Sequence, residues 1–239
     1  GVSSFVTDAP VVWDASGGNP VRILRSFGGK VVLLEATHSG EKVAVVDDYA
    51  GVHLWDASTW VLHRLDAPGA RSPIQSFDIS HSGALVVGKW WSTVFVWSGT
   101  TGSLLQRFSL PQPVTAIAVL PRGDQAVVAT TGQVVLVDLK TGRTLRALPE
   151  GFVNLGDEGF SMSVSDRAVV VCGESHAMAR HEDTSAHFLI TDITQAYYRS
   201  ADVTARLWDL DTGRLVHAVS DSIDSYGVGR GCSVSVSPC

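Results

Sequence analysis

Apolar and polar residues alternate along much of this chain in short segments that are separated by turn residues. In the segment 42–46, Val43 and Val45 fall on one face and Lys42 falls on the other. A period of two residues is typical of a β-strand with one buried face. Four successive segments of this kind therefore predict one complete four-stranded unit: 31–36, 42–46, 52–56 and 61–65.

The same arrangement recurs along the chain and predicts an all-β protein. The second and third complete units are predicted at 74–79, 84–88, 93–97 and 104–108, and at 114–119, 125–129, 134–137 and 144–148. A fourth begins at 160–164 and 168–172 and resumes at 203–208 with a return strand that reaches residue 219. The start of the chain supplies the second to fourth strands of another unit, and 232–238 predicts an opening strand.

Two sequence markers repeat in phase with these units. A hairpin phrase such as ARLWDLDTGRL at 205–215 has related copies, and its last apolar residue before the turn is Trp13, Trp55, Trp97, Val137 and Trp208 in successive copies. The first four of these positions are almost equally spaced, and the last follows after one period plus an insertion. Turn glycines between the first and second strands, Gly40, Gly83 and Gly123, recur with nearly the same spacing.

A period of about 40–45 residues with a Trp-Asp hairpin is the signature of four-stranded propeller blades. At these residues the chain resembles the WD40-repeat family over nearly its whole length. The resemblance implies one WD40-like β-propeller over 1–239 with about five visible blades, either a closed ring or part of a larger propeller. The predicted blade pieces are 1–24, 30–66, 73–109, 113–149, 159–219 with an insert at 174–200, and 230–239.

In that family the third-strand Trp joins a hydrogen-bonded set that includes an aspartate of the preceding turn. The resemblance assigns Asp48 and Asp202 to that position. The Gly-His pair that precedes the first strand in the family is missing from every unit here. The missing pair predicts divergent repeats that are held together mainly by apolar packing.

Composition and charge indicate which classes of partner and which cellular compartment to expect. Hydrophobic residues make up 45% of the chain and charged residues 18%, as in packed globular proteins. A net charge of −6 without a Lys/Arg cluster argues against nucleic-acid partners, and no apolar run is long enough for membrane insertion. Three cysteines and no N-x-S/T sequon predict an intracellular protein, placed in the cytoplasm.

No arrangement of residues predicts catalysis, a cofactor or a metal. The chain lacks a G-x-S-x-G elbow, a phosphate-binding loop and a dinucleotide-binding glycine motif. His176, His181 and His187 are the cluster that most resembles a set of metal ligands. A zinc-binding helix needs a second His four residues after His181, and Ser185 occupies that place. We therefore interpret this segment as a solvated loop.

Aromatic residues in turns are the candidates for contacts with partners. Trp90 and Trp91 fall in a turn between second and third strands, and Tyr49 falls in the equivalent turn one unit earlier. Trp and Tyr dominate interface hot spots because they bury a large area with few rotatable bonds. We expect one Trp to pack under a neighbouring unit and the other to contact a partner. The insert enters at the same edge and adds His181, Phe188, Tyr197 and Tyr198.

The sequence thus predicts a non-catalytic scaffold that binds other proteins as part of a larger assembly. Alternatives are a structural subunit of a cytoskeletal complex, and an enzyme or small-ligand sensor that uses the central channel of the ring. Charged residues converging on the channel would favour the last alternative. The innermost strands at 115–119 and 161–164 are instead apolar or small, and we expect the others to be similar.

Overall fold

The computed structural model describes residues 2–3, 10–14, 16–24, 30–37, 39–49, 51–72, 74–149, 161–176 and 201–223. These residues form five antiparallel sheets that follow one another along the chain, which we name sheets A to E. Sheet A has three strands, and sheets B to E have four strands each. The prediction of an all-β protein built from successive four-stranded units is therefore confirmed.

Sheet A contains β1 (Val2–Ser3), β2 (Val11–Trp13) and β3 (Pro20–Ile23). Sheet B contains β4 (Val31–Ala36), β5 (Lys42–Asp47), β6 (Val52–Asp56) and β7 (Leu62–Leu65). Sheet C contains β8 (Ser76–Ile79), β9 (Leu85–Trp90), β10 (Thr93–Ser98) and β11 (Leu104–Ser109). Sheet D contains β12 (Val114–Val119), β13 (Gln125–Thr130), β14 (Val134–Asp138) and β15 (Thr144–Leu148). Sheet E contains β16 (Ser161–Val164), β17 (Ala168–His176), β18 (Ala201–Asp209) and β19 (Leu215–Ile223).

An apolar cluster fills each space between successive sheets. Leu54 of sheet B packs with Phe95 and Trp97 of sheet C in one of these clusters, and Leu136 of sheet D packs with Trp208 of sheet E in another. Similar clusters join sheet A to sheet B and sheet C to sheet D. Each sheet is therefore held to the next by side chains that neither sheet could bury alone.

The middle strands are buried on both faces, and this corrects the expectation of a single buried face. In β5, Val43 and Val45 belong to the cluster against sheet A, whereas Ala44 and Val46 belong to the cluster against sheet C. A strand covered on both faces has a nearly continuous run of apolar residues instead of a strict alternation. Lys42, a polar residue at the start of the strand, suggested an alternation that the apolar run 43–46 does not follow.

The first strands of successive sheets contact one another. Strand β4 contacts β8, β8 contacts β12, and β12 contacts β16. The sheets thus follow one another around a common inner side, as expected for propeller blades. The pairing of 232–237 with 2–5 that would close a five-bladed ring, and the predicted opening strand 230–239, lie outside the described residues, so the closed ring stays a prediction.

The hairpin tryptophans differ in burial although the sequence treats them as equivalent. Trp97 and Trp208 are fully buried, and Trp55 is nearly so, but Trp13 is 36% exposed. The indole Nε1 of Trp97 donates a hydrogen bond to Asp66 O at 2.7 Å, and that of Trp208 donates one to Pro149 O at 2.9 Å. Both acceptors directly follow the last strand of the preceding sheet. Trp13 belongs to the first sheet, and in the described structure no sheet precedes it.

The last strand of four sheets, A, C, D and E, carries a β-bulge at the same register. Trp97 pairs with Leu104 while Val96 pairs with Gln106, so Leu105 is the extra residue. Val21, Leu145 and Val216 are the corresponding extra residues of β3, β15 and β19. Bulges of this kind bend an edge strand and discourage its pairing with another chain. They also leave these four aliphatic side chains at least half exposed.

The insert in sheet E is shorter than the sequence predicted. Strands β17 and β18 pair continuously as far as His176 and Ala201. Residues 174–176, assigned to the insert from the sequence, therefore extend β17, and the third strand begins at Ala201 instead of residue 203. The sequence prediction assumed that these strands have the length found in the other units. Strands β17 and β18 are instead longer than any strand of sheets A to D. The remainder of the insert, 177–200, lies outside the described residues.

Candidate interaction surfaces

The turn between β9 and β10 presents one tryptophan to solvent and packs the other against the protein. Trp91 is 61% exposed, whereas Trp90 is partly buried against the cluster between sheets B and C. The indole Nε1 of Trp90 also donates a hydrogen bond to Ser72 Oγ at 2.7 Å. The two neighbours thus have the different environments that we expected for an anchoring and a contacting residue.

The exposed Trp91 stands on a turn that the protein holds in an unusual backbone conformation. Its φ is 54°, in the left-handed region that bulky residues rarely adopt. Gln75 Oε1 accepts the Trp91 backbone N–H at 3.1 Å and the Lys89 ammonium at 3.2 Å, and Val114 N donates to Trp91 O at 2.9 Å. Residues kept in such a conformation by their surroundings cluster at functional sites. The backbone of the turn is therefore held by hydrogen bonds while the Trp91 ring is exposed.

Tyr49 occupies the corresponding turn of sheet B and is 74% exposed. Its backbone N–H donates to Asp47 Oδ1 at 3.0 Å. Because both turns join second and third strands of successive sheets, Tyr49 and Trp91 lie at the same edge of the sheet array. We name the residues Tyr49, Trp90 and Trp91 the aromatic edge.

The aspartate that organises the turn beside Tyr49 is Asp47, and this corrects the assignment to Asp48. The buried Asp47 carboxylate accepts hydrogen bonds from Gly51 N at 2.7 Å and Tyr49 N at 3.0 Å, and its Oδ2 lies 2.9 Å from His53 Nε2. Asp48 is exposed and accepts only the backbone N–H of Lys30 among the hydrogen bonds of the described structure. The sequence could not separate two adjacent aspartates, because one residue of register decides which is buried.

These contacts set the pKa of Asp47. Burial raises the pKa of its carboxyl, but the hydrogen bonds with His53 and with the N–H groups of Gly51 and Tyr49 outweigh burial and hold the pKa below its usual value. His53 also stacks on Trp55, with ring centroids 5.9 Å apart. The Asp47–His53 pair thus joins the turn to the buried hairpin of the same sheet.

The remaining candidates from the sequence, His181, Phe188, Tyr197 and Tyr198, lie outside the described residues. The same holds for the side chains of the proposed histidine cluster. Among the residues that the structure does describe, no group of three or more His, Cys, Asp or Glu side chains could hold a metal ion. The described part of the chain also contains no long apolar helix of the kind that crosses a bilayer.

Two carboxylates on neighbouring first strands were missed by the sequence analysis. Glu35 lies on β4 and Asp78 on β8, both at the residue before the last of the strand. Asp78 Oδ2 accepts the N–H of Val119 at 2.7 Å, and its Oδ1 accepts the N–H of Ile79 at 2.7 Å. The expectation that the innermost strands carry only apolar or small residues is therefore wrong for β4 and β8. The sequence does contain a signal for this pair: Glu35 and Asp78 are charged residues at a repeat position that holds Ala118 in sheet D and Ser163 in sheet E.

Crowding by the neighbouring strands affects the protonation of this pair. Burial raises the pKa of Asp78, although its hydrogen bonds with Val119 and Ile79 act in the opposite direction. Burial also raises the pKa of Glu35, and the nearby charge of Asp78 raises it further. The two carboxylates therefore oppose each other's ionisation.

We expect Asp78→Asn to lower the pKa of Glu35, because the substitution removes a neighbouring negative charge. NMR titration of the Glu35 carboxyl carbon measures this change. In the wild type, a raised folded-state pKa means that ionisation of Glu35 costs stability as pH rises from about 4.5 through the raised value. Glu35→Gln should remove this contribution to the pH dependence. A Glu35 pKa that is the same in wild type and Asp78→Asn would show that the two groups do not interact.

Comparison with known proteins adds a partial relative and a structural neighbour. No family model matches the chain. The chain is 30% identical over 123 residues to the U3 small nucleolar RNA-associated protein 21 homolog of Schizosaccharomyces pombe, a match that covers 51% of this chain and 13% of the relative. The chain thus spans a small part of the relative's length. A solved structure of Kuenenia stuttgartiensis hydrazine synthase superposes with a TM-score of 0.57 at 13% identity.

The structural match covers 79% of this chain and 48% of the hydrazine synthase chain. At 13% identity it shows a shared fold and carries no argument about activity. Together with the hairpin repeats and the five successive sheets, the two matches decide the class of fold. The chain has a WD40-like β-repeat fold.

Proposed function

We propose that this protein is a non-catalytic scaffold that binds other proteins through the aromatic edge and belongs to a larger assembly. The observation that carries the proposal is the exposure of Trp91 on a turn that is held in a left-handed conformation. A left-handed backbone is costly for a residue other than glycine, and Trp is among the residue types that most often anchor a protein interface. Tyr49 at the same edge adds a second aromatic contact.

The Schizosaccharomyces pombe relative supports membership of an assembly, since its name associates it with a small nucleolar RNA. The same name adds a nucleolar location as an alternative to the cytoplasm that the sequence favoured. The net charge of −6 still favours protein partners over a nucleic-acid backbone. On this proposal, other subunits would contact RNA and the present chain would contact those subunits.

A small-ligand sensor is the second candidate function, and Glu35 and Asp78 are the observation that favours it. Two carboxylates on adjacent first strands place negative charge on the inner side of the sheet array. Such a site would suit a small positively charged ligand. If the protein is only a scaffold, Glu35→Gln should leave the capture of protein partners unchanged. If the protein is a sensor whose ligand controls partner binding, Glu35→Gln should abolish the effect of the ligand on that binding.

Capture of partners tests the scaffold proposal directly. We expect Trp91→Ser to reduce capture of the main partner from an extract of the source cells by roughly tenfold or more, since one anchoring Trp contributes at least about 2 kcal/mol. Replacing the insert 177–200 by a short Gly-Ser turn should have a similar effect. Mass spectrometry of the captured proteins measures both.

Leu105→Ser is the matched control, because Leu105 is also an exposed large apolar residue, at 56%, but lies on the outer strand β11. It should capture the same partner as the wild type. Circular dichroism and thermal melting confirm that each variant is folded. If Trp91→Ser and Leu105→Ser both retain wild-type capture, the aromatic edge is not the interaction surface.

A further inference from the structure

The junction between sheets D and E departs from the packing that joins sheet B to sheet C and sheet C to sheet D. In sheets C and D the turn between first and second strands contains Gly83 or Gly123, which lies against the corresponding turn of the preceding sheet. A Cβ at Gly83 would approach Thr37 Cγ2 to 3.2 Å, and one at Gly123 would approach Ser80 Cβ to 3.4 Å. The turns of neighbouring sheets are therefore in direct contact at these two junctions.

Sheet E has a shorter turn at this position, formed by residues 165–167, and it contains no glycine. The turn reaches sheet D through a side chain instead: Arg122 Nε lies 3.5 Å from Asp166 Oδ1, and Arg122 Nη2 donates to Asp166 O at 3.2 Å. A cleft of about 280 Å³ opens beside this bridge. Its apolar lining comes from Leu120, Leu136 and Leu210, which are buried, and from the half-exposed Leu145.

A second arginine, Arg146 of β15, also lines the cleft. Its Nη1 donates to Leu210 O at 3.2 Å and to Asp211 O at 2.9 Å, in the turn between β18 and β19. Gln106 makes the equivalent contact at the previous junction, where its Nε2 donates to Lys140 O at 3.3 Å. A glutamine is therefore sufficient to join the sheets, and the arginine brings additional donors.

These additional donors are the Nε and Nη2 groups of Arg146, which meet no hydrogen-bond acceptor within the described ranges. Hydrogen bonds from Thr212 Oγ1 and Thr212 N to Asp209 Oδ1, each at 2.7 Å, lower the pKa of Asp209, and the charge of Arg146 makes a smaller contribution in the same direction. Arg146 itself donates no hydrogen bond to Asp209 in the described structure. The two carbonyl contacts fix the direction of the guanidinium. The Nε–H and Nη2–H groups share one edge of the guanidinium, and an unused edge of this kind matches the geometry of a carboxylate.

We propose that this cleft binds a peptide segment of a protein partner, with an acidic side chain on Arg146 and a basic side chain beside it. The basic contact would come from Asp124 and Asp211, which line the same cleft and whose carboxylates accept no hydrogen bond in the described structure. Asp166 is already paired with Arg122. An apolar side chain of the peptide, between the acidic and the basic one, would contact the leucines that line the cleft.

The inference rests on the proposed scaffold function and adds a second surface to it. The cleft is lined by turns that join first to second and third to fourth strands. It therefore lies at the edge opposite the aromatic edge. Its volume of about 280 Å³ is slightly below the roughly 300–1,000 Å³ of small-molecule sites, which suits two or three side chains better than a large cofactor.

Three blocked tripeptides test the proposed chemistry: acetylated and amidated Glu-Leu-Lys, Glu-Leu-Gln and Gln-Leu-Lys. We expect Glu-Leu-Lys to bind with a Kd of about 1 mM and to shift the backbone amide NMR signals of residues 120–125 and 210–213. Glu-Leu-Gln should bind more weakly, and Gln-Leu-Lys weakest of the three. Arg146→Gln should weaken binding of both Glu-containing peptides by roughly tenfold.

Arg146→Gln retains the contact that Gln106 makes at the previous junction, so it should fold normally. Arg143→Gln is the matched control, because Arg143 is a nearby arginine of the same hairpin that does not line the cleft. Equal binding of all three peptides, binding that Arg146→Gln leaves unchanged, or no binding below a Kd of about 10 mM would each overturn the inference. Capture that still depends on Trp91 would then show that the scaffold function stands without this cleft.

Discussion

Trp97→Ala is expected to lower the free energy of unfolding by about 3–5 kcal/mol, the usual cost of deleting a buried Trp. The side chain is fully buried between sheets B and C, and it stacks on Phe95 with ring centroids 5.6 Å apart. The substitution also leaves Asp66 O without the indole donor that joins it to the next sheet. Urea denaturation followed by tryptophan fluorescence and circular dichroism measures the change.

Trp13→Ala is the matched control for this prediction. Trp13 occupies the same position of the hairpin phrase but is 36% exposed. Because part of its surface stays in water, its replacement should cost roughly 1–2 kcal/mol less than that of Trp97. Equal losses for the two variants would show that position in the repeat, and not burial between sheets, decides the contribution of these residues.

The sequence was sufficient to predict the order and spacing of the sheets. Trp55, Trp97, Val137 and Trp208 all lie at the end of the third strand of their sheets, as the repeat required. The reason is that a hairpin and its turn are local: a residue in the left-handed conformation five positions after the last apolar residue of the third strand marks where the chain reverses. Gly102, Gly142 and Gly213 show this conformation, with φ values of 72°, 70° and 71°.

Contacts between sheets could not be predicted in the same way. Which of Asp47 and Asp48 is buried depends on the exact end of β5, and the exposure of Trp13 depends on what packs against the first sheet. The cleft between sheets D and E lies beside a turn that is two residues shorter than its counterparts. Small changes in turn length have large effects at junctions, since each junction is closed by the turns of two sheets.

The candidate site was predicted in part. The different environments of Trp90 and Trp91 follow from their adjacent positions in a tight turn, since neighbouring side chains of a strand end point to opposite faces. Glu35 and Asp78 were missed because each is a single charge within an apolar strand, and their proximity depends on the contact between β4 and β8. Partner binding by the aromatic edge stays a prediction, as does partner binding by His181, Phe188, Tyr197 and Tyr198. The location in the cytoplasm also stays a prediction.

Asp47→Ala is the second substitution for which we expect a large loss of stability, about 2–4 kcal/mol. The carboxylate is buried and satisfies the N–H groups of Tyr49 and Gly51 together with the ring of His53. Its removal takes the acceptor away from the buried Gly51 N–H and the partner away from the buried His53 ring, and a buried donor without an acceptor costs about 1–3 kcal/mol. Asp48→Ala, at the exposed neighbour, should cost less than about 1 kcal/mol.

The pH dependence gives this prediction an independent test. Because the pKa of Asp47 is lowered in the folded state, its contribution to stability is present above the ordinary value of 3.8 and is lost as pH falls through the lowered value. The difference in unfolding free energy between wild type and Asp47→Asn should therefore shrink as the pH falls below about 3.8. Urea titrations at neutral and acidic pH measure it. A difference that is constant over this range would mean that Asp47 acts through its shape and hydrogen bonds alone, and that its charge contributes nothing to the turn that carries Tyr49.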